Sequence, residues 1–142
     1  MIVSEHSIEV KGSLQELQSI RGFIIDSALH LGISKALAAN LALAVDEACS
    51  NIIVHGVKKD NDMLEISMFQ QENSLSIHIK DFGVPFDPNC VGQQNMQEYF
   101  RALKNGGLGI EIIRKVIDSI EYIPRCKPEE SNTLILNKAL SL

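Results

Sequence analysis

The chain has 142 residues, of which 45% are hydrophobic, and its 13 basic and 18 acidic side chains give a formal net charge of −5. This length and composition predict one ordinary domain with a hydrophobic core, and the acidic balance argues against a nucleic-acid platform. Its three cysteines, Cys49, Cys90 and Cys126, are widely spaced without a C-x-x-C pair, so neither a disulfide framework nor a zinc site is indicated.

The N-terminal sequence MIVSEHSIEV lacks a basic region followed by an apolar run, and we therefore predict no signal peptide. We also expect no apolar stretch of the ~18 residues that a membrane span requires. Together with cysteines that fit a reducing compartment, these features predict a cytoplasmic protein.

The first half of the chain predicts a strand and two helices. Residues 2–10 alternate imperfectly between apolar and polar side chains, as a strand does. The sequence SLQE, which begins at Ser13, is typical of a capping box at a helix start, and Gly32 is a natural C-cap. Ser34 then caps a second helix that runs to about His55.

The second half predicts a hairpin, a long loop, a helix and two more strands. Residues 63–71 and 74–81 are strands joined by the turn Glu-Asn, and alternation in the second strand indicates that one of its faces is buried. A polar stretch then reaches about Gly107, and a loop of that length is more often functional than incidental. The remaining elements are a helix at 108–120 and strands at 120–125 and 132–140.

The element order β-α-α-β-β-loop-α-β-β predicts an α+β fold. We expect a two-layer α/β sandwich, in which a mixed but mostly antiparallel sheet carries all of the helices on one face. No internal repeat or linker interrupts the pattern, so residues 1–142 are predicted to form a single domain.

A polar stripe runs along the second predicted helix. Glu47, Asn51 and His55 recur every four residues, which places neighbours about 40° apart around the axis and roughly 5–6 Å from each other. The stripe borders the apolar face, where a cleft between helix and sheet would open. An amide oxygen suits Mg²⁺, and a carboxylate can accept a proton from a hydroxyl. The alternative is a solvated helix flank.

Two glycine-containing clusters follow. Asp81, in DFGVPF, could accept a hydrogen bond from an exocyclic amine, and Gly83 would let a flat ring approach the backbone; a plain turn has the same composition. In NGGLGI, residues 105–110, glycines before a helix leave N–H groups open to phosphate, or form a flexible loop. The chain contains neither a P-loop nor the dinucleotide-binding fingerprint.

The order of these motifs carries more information than each motif alone. E-x-x-x-N on a helix, D-x-G after a strand, a long loop and G-x-G opening a helix resemble the GHKL ATPase superfamily, which has the Bergerat fold, over essentially the whole chain. More narrowly, VDEACSNIIVHG, DFGVPFDP, GGLGI and TLILNK resemble the anti-sigma-factor serine/threonine kinases.

The resemblance implies a site for ATP and Mg²⁺. Asn51 would hold the metal against the ATP phosphates, Asp81 would bond the adenine amino group, and Gly83 would lie beneath the ring. Residues from about 88 to 107 would form an ATP lid. The other nucleotide-binding residues that the resemblance implies are Gly107, Leu108, Gly109 and Thr133. The family frequently has glycine before this threonine, whereas ESNT has none.

The resemblance also implies a function. The chain would be an ATP-dependent protein serine/threonine kinase in which Glu47 is the general base for a hydroxyl on an anti-anti-sigma, STAS-type partner. It would bind a sigma factor, regulate transcription, and could form a homodimer through its N-terminal strand; neither nucleic acid nor a membrane is expected as a partner.

Two other functions are alternatives to this one. In the first, the chain is a non-catalytic module whose bound ATP sets its affinity for a sigma factor. In the second, it is a severed histidine-kinase domain, which fits less well because no helical hairpin with a phospho-acceptor histidine precedes the first strand.

Overall fold

A six-stranded sheet and three helices make up the computed structural model, which describes residues 4–55, 62–83, 94–95, 108–127 and 129–140. The strands are β1 (Ser4–Lys11), β2 (Met63–Gln71), β3 (Ser74–Asp81), β4 (Gln94–Asn95), β5 (Ser119–Ile123) and β6 (Asn132–Ala139). The helices are α1 (Leu17–His30), α2 (Lys35–His55) and α3 (Leu108–Val116), with a 3₁₀ turn at Leu14–Glu16 before α1.

The strand order across the sheet is β1-β2-β3-β6-β5-β4. Each neighbouring pair is antiparallel, so the predicted α+β class with a mostly antiparallel sheet is confirmed, and no pair among the described strands is parallel. The reason is that hairpins join β2 to β3 and β5 to β6, and the connection through α3 returns β6 to the centre of the sheet opposite in direction to β3.

Two serines begin the first two helical segments. Ser34 accepts a hydrogen bond at Oγ from the Leu37 N–H group (3.2 Å), as predicted for an N-cap. Ser13 accepts from Gln15 N–H (3.3 Å), but its own N–H group donates to the Lys11 carbonyl (2.8 Å). The reciprocal half of the predicted capping box is therefore replaced by a backbone bond, and the first turn is 3₁₀.

Gly32 ends α1 as predicted. Its φ angle is +84°, in the left-handed region that glycine adopts without a Cβ clash. The N–H groups of Gly32 and Ile33 donate to the carbonyls of Leu29 and Ala28, both at 3.0 Å, which is the hydrogen-bond pattern of a Schellman cap. This cap turns the chain sharply from α1 into α2.

Helix α3 is shorter than the predicted segment 108–120 and ends at Val116. Two residues later the chain is already bonded to the sheet, because Asp118 N–H donates to the Asn137 carbonyl (2.9 Å) and Asp118 Oδ2 accepts from Ala139 N–H (2.6 Å). Apolar periodicity continues past this point, but the backbone leaves the helix in order to pair with β6.

The core lies between the helices and one face of the sheet, here called the inner face. In β3, Leu75, Ile77 and Ile79 are at most 1% exposed, while the residues between them are half-buried on the other, outer face. The apolar stripe predicted on α2 belongs to the same core and comprises Leu41, Ala44, Val45, Ala48 and Ile52. Burying such a face is what holds a helix layer on a sheet.

The segment Lys35–Val54 of α2 has the length and apolar composition to cross a membrane, which we did not expect from the sequence. Its position in the fold explains this composition. α2 packs beside α1 and α3, and its apolar stripe is part of the core. A helix that is covered on several sides is apolar around most of its circumference.

Gly22 within α1 and Gly32 just beyond its end should respond to the same substitution with opposite sign. Gly32→Ala forces a side chain into the left-handed region and should destabilise the protein by about 1 kcal/mol. Gly22 lies within the helix with no atom near a built Cβ, so Gly22→Ala should stabilise it by about 0.5–1 kcal/mol. Urea unfolding of both variants checks this; a stabilised Gly32→Ala variant would contradict the cap.

Candidate functional site

The candidate site is built around Asp81, the last residue of β3, which is 3% exposed on the inner face. Its Oδ1 atom accepts hydrogen bonds from Gly83 N–H (2.9 Å) and from Asn132 Nδ2 (3.0 Å). Its Oδ2 atom has no hydrogen bond to a residue that the structure describes. One oxygen therefore fixes the Asp-Phe-Gly turn, and the other is free of those contacts and able to accept from a ligand.

Asn132, opposite Asp81 in β6, holds this turn in place. It is fully buried, and Nδ2 donates to the Gly83 carbonyl (2.9 Å) as well as to Asp81. Its Oδ1 atom accepts from the backbone N–H of Arg125 (2.8 Å). The two segments at this end of the sheet, one after β3 and one after β5, are thereby joined.

A cation and an aromatic ring lie at the rim of the same turn. Arg125 Nη1 donates to the Phe82 carbonyl, and the guanidinium carbon is 6.0 Å from the centroid of the Phe82 ring, within the range of a cation–π contact. Phe82 is 47% exposed. The turn therefore presents a flat apolar surface to solvent beside the buried carboxylate.

Burial sets the electrostatics of Asp81. Loss of solvation raises the pKa of its carboxyl group above the ordinary value of 3.8, while the hydrogen bonds from Asn132 and Gly83 and the charge of Arg125 act to lower that pKa. Asp62, at the start of β2, raises it further. Burial thus disfavours the ionised form of Asp81, and its hydrogen-bond donors favour that form.

The C-terminal half of α2 lies over this end of the sheet. Cys49, on its buried side, is fully buried, and its pKa is raised first by burial and then by the charges of Asp46 and Asp81. The thiol remains protonated, so it is a packing group and not a nucleophile.

The N-terminal half of α2 lies at the opposite end of the sheet. It forms one wall of a groove of about 290 Å³ whose lining residues are Leu37, Asn40, Leu43, Ile112, Lys115, Val116 and Lys138. Lys138 lies in β6 near its C-terminal end, and the residue at the other end of that strand is Asn132. α2 therefore runs along the sheet from Lys138 toward Asp81.

Helix α3 runs back beside α2. Its C-terminal turn is at the Lys138 end, because Val116 lines the groove and Asp118 is bonded to Ala139. The N-terminus of α3, at Leu108, is therefore directed toward the end of the sheet at which Asp81 lies. An α-helix has free N–H groups and a positive dipole end at its N-terminus, so a positive helix end lies at the same end of the sheet as the Asp-Phe-Gly turn.

Glu47 and Asn51 lie on the flank of α2 that faces α3. The helical repeat places them within about 40° of Asn40, which lines the groove between the two helices. Both are half-buried, and neither side chain forms a hydrogen bond or ion pair with another described residue. Asp46 is on the other flank, where Arg21 binds it at 2.5 Å. Among the described residues, the side-chain oxygen atoms of Glu47 and Asn51 therefore have no partner on this flank of α2.

The structure separates Thr133 from the other predicted site residues. It is opposite Lys80 on the outer face, and its Oγ1 atom is 3.1 Å from Ser131 Oγ. Successive residues of a strand face opposite sides, so the inner position belongs to Asn132, which the motif comparison did not single out. Counting back in twos from buried Leu134 would have identified it.

The other predicted residues are only partly described. Leu108 and Gly109 form the first turn of α3, so their backbone lies where it was expected. Gly107 and the lid segment 88–107, apart from β4, lie outside the described residues, as does the side chain of His55. The described residues contain no cluster of three His, Cys, Asp or Glu side chains that could hold a metal; the expected ligand, the Asn51 amide, is not one of these residue types and stays a prediction.

Comparison with known proteins assigns a family to this geometry. A family model described as a histidine kinase-like ATPase domain matches residues 10–138. The chain is also similar to proteins named Serine-protein kinase RsbW from Bacillus thuringiensis (strain Al Hakam), Bacillus cereus (strain AH820) and Bacillus anthracis (strain CDC 684 / NRRL 3495). Each is 27% identical over 135 residues, which cover 92% of this chain and 82% of the relative.

Asp81→Asn should make the protein relatively more stable as pH rises. The folded pKa of Asp81 is raised, so between 3.8 and that pKa the folded state binds the proton more tightly than the unfolded state, and wild-type stability is lost as pH rises. Asparagine does not ionise and keeps an oxygen for Asn132 and Gly83. The stability gained by the variant, measured by urea unfolding, should be larger at pH 7 than at pH 4.

Asp26→Asn is the matched control because Asp26 is exposed on α1. It removes one negative charge without removing a buried carboxylate. If the stability difference between Asp81→Asn and wild type were the same at both pH values, or larger at pH 4, the assignment of Asp81 as a destabilised buried acid would be wrong.

Proposed function

The chain belongs to the histidine kinase-like ATPase domain family, and from this premise we propose that it is a Mg-ATP-dependent protein serine/threonine kinase that regulates a sigma factor. The family match agrees with the GHKL resemblance of the motifs. The observation that carries the proposal is the Asp81 carboxylate: it is buried, anchored through one oxygen, and located at the end of the sheet toward which the C-terminal half of α2 and the N-terminus of α3 are directed.

In the proposed complex the adenine base binds at the Asp-Phe-Gly turn. Asp81 Oδ2 would accept a hydrogen bond from the exocyclic amine, since Oδ1 is already occupied by Gly83 and Asn132. Gly83 would allow the ring to lie against the backbone. The N–H groups of Leu108 and Gly109, at the positive end of α3, would bind the phosphates, together with Gly107 and the predicted lid.

The metal would be held by Asn51. Its half-buried amide has no hydrogen bond to a described residue, and a hard oxygen beside a phosphate site is the kind of ligand that Mg²⁺ uses when water and phosphates complete its coordination. The bound metal would neutralise phosphate charge during transfer. Asn51 therefore fits the expected cofactor, and its amide would fix the triphosphate relative to Glu47 one turn earlier on α2.

Glu47 would be the general base. It lies on the same flank of α2 as Asn51, and its half-buried carboxylate makes no ion pair with a described residue, so an incoming hydroxyl could donate its proton there. The partner seryl or threonyl oxygen would then attack the terminal phosphorus, and ADP would leave. A positioned base typically contributes 10²–10⁴-fold, with positioning and charge supplying the remainder.

The relatives support the kinase part of this proposal, since their printed name is Serine-protein kinase RsbW. The phosphorylated partner would be an anti-anti-sigma protein of the STAS type, and the regulated partner a sigma factor, both in the cytoplasm. These partners rest on the resemblance of the four sequence motifs. A homodimer through β1, a free edge among the described strands, would be compatible with this function.

The second candidate function is a nucleotide-binding module without phosphotransfer. This function requires the same adenine-binding and metal-binding sites, but Glu47 would have no role in it as a general base. The position of the Glu47 carboxylate, which has no ion-pair partner among the described residues and lies on the same flank as Asn51, favours the kinase.

Two substitutions should have complementary effects. Glu47→Gln should retain ATP binding within about threefold but lose about 10²-fold or more of the phosphotransfer rate, because it removes the base and leaves the pocket intact. Asp81→Asn should weaken ATP binding at least about tenfold, because an amide has only one acceptor oxygen in place of the two of the carboxylate. Calorimetry measures binding, and transfer of labelled phosphate to candidate anti-anti-sigma proteins measures the reaction.

Glu9→Gln is the control. Glu9 is exposed on β1, and its substitution removes the same charge from another part of the protein. If Glu47→Gln phosphorylated the partner at the wild-type rate, Glu47 would not be the base. If wild-type protein bound ATP but transferred no phosphate to any partner, the binding-module function would replace the kinase.

A further inference from the structure

Asn132 is a buried amide with each donor and acceptor committed. Nδ2 donates to Asp81 Oδ1 (3.0 Å) and to the Gly83 carbonyl (2.9 Å), while Oδ1 accepts from Arg125 N–H (2.8 Å). The Arg125 N–H can only donate and the Gly83 carbonyl can only accept, so these two backbone groups determine which end of the amide carries nitrogen. Asn132 is consequently a fixed donor to Asp81.

A fixed donor constrains what Asp81 can do. A carboxylate that receives N–H groups from Asn132 and Gly83 at Oδ1 is favoured in its ionised form. Ionised, it can accept a hydrogen bond at Oδ2 but has no hydrogen to donate. Such a group binds an exocyclic amine and leaves the carbonyl oxygen of an oxo-purine without a partner, a mismatch that binding sites discriminate against strongly.

We propose that Asn132 is a positioning residue that sets base selectivity, by holding Asp81 as an acceptor so that an amino-purine is bound in preference to an oxo-purine. This inference rests on the proposed function, in which Asp81 faces the base. It assigns a role to a residue next to the motif threonine, on the opposite face of β6.

The other groups around Asp81 do not fix its state by themselves. Burial and Asp62 favour the protonated carboxyl, and Arg125, held against Phe82, favours the ionised one. Cys49 of α2 is a protonated thiol and adds no charge. The Asn132 amide differs from these groups because it donates a directed hydrogen bond to Oδ1, and after the backbone N–H of Gly83 it is the other donor that holds this oxygen as an acceptor.

Asn132→Asp tests this directly. The change replaces an N–H donor by oxygen, so Asp81 and the new carboxyl group would share a proton. A protonated Asp81 could donate to an oxo-purine. The ratio of the inosine triphosphate Kd to the ATP Kd, measured by calorimetry with Mg²⁺, should fall about tenfold or more relative to wild type, and fall further from pH 8 to pH 6.

Asn137→Asp is the matched control. Asn137 is on the same strand but on the outer face, where it accepts from Ser76 Oγ (2.8 Å) and donates to Ser119 Oγ (3.1 Å). It makes the same chemical change, and the nucleotide ratio should stay at the wild-type value. If Asn132→Asp weakened both nucleotides equally and left the ratio unchanged, its role would be structural only and the proposal would fail.

A second pair of variants covers the case in which Asn132→Asp does not fold. Asn132→Thr and Asn132→Val have the same shape, but only threonine keeps a hydroxyl that can donate to Asp81. The preference for ATP over inosine triphosphate should be at least about fivefold stronger in the threonine variant, consistent with a single hydrogen bond of about 1 kcal/mol. Equal preferences in the two variants would overturn the proposal.

A measurement without nucleotide separates this inference from the proposed function. The Asp81 carboxyl carbon, followed by NMR, should titrate at least one pH unit higher in Asn132→Asp than in Asn137→Asp. An unchanged titration contradicts the donor role. If the titration shifts upward but the wild-type protein binds neither nucleotide, the proposed function is wrong and the selectivity proposal fails with it. If the protein binds ATP but the Kd ratio is unchanged in Asn132→Asp, only the selectivity proposal is wrong.

Discussion

The buried hydrogen bond between Asp81 and Asn132 is the interaction on which the site depends. A carboxylate in the interior is costly unless donors replace the water it loses, and here the donors are one side chain and one backbone N–H at Oδ1. That bond requires β3 and β6 to be neighbours in this register. The sheet order, with β6 between β3 and β5, is therefore also what creates the candidate base pocket.

Helices α2 and α3 form the other side of the candidate site. Because α2 and α3 run in opposite directions over the inner face, the C-terminal half of one and the N-terminus of the other meet at the Asp81 end. This brings the polar flank of α2, with Glu47 and Asn51, next to the positive end of α3. The polar stripe of α2 thus lies at the same end of the core as the Asp-Phe-Gly turn and the first turn of α3, which is where we propose that the nucleotide binds.

Most of the fold could be predicted from local signals, and the errors have local causes. Ser34, Gly32 and the alternation in β3 each specify backbone geometry through nearby contacts, so the elements they delimit were correct. The end of α3 was not, since apolar residues continue past Val116 and only the pairing of Asp118 with β6 stops the helix. The prediction of Thr133 rests on a motif, and a motif does not specify which face of the strand a residue occupies. Alternation along β6, counted from buried Leu134, places Asn132 on the inner face instead.

The central claim is that Mg-ATP binds at the Asp81 end of the inner face. Titrating isotope-labelled protein with Mg-ATP and following backbone amide shifts by NMR tests it most directly. The account predicts saturable shifts at Asp81–Gly83, in the C-terminal half of α2 and in the first turn of α3, with Ser76 and His78 on the outer face unaffected. Saturable shifts confined to the outer face, or none at millimolar nucleotide, would contradict it.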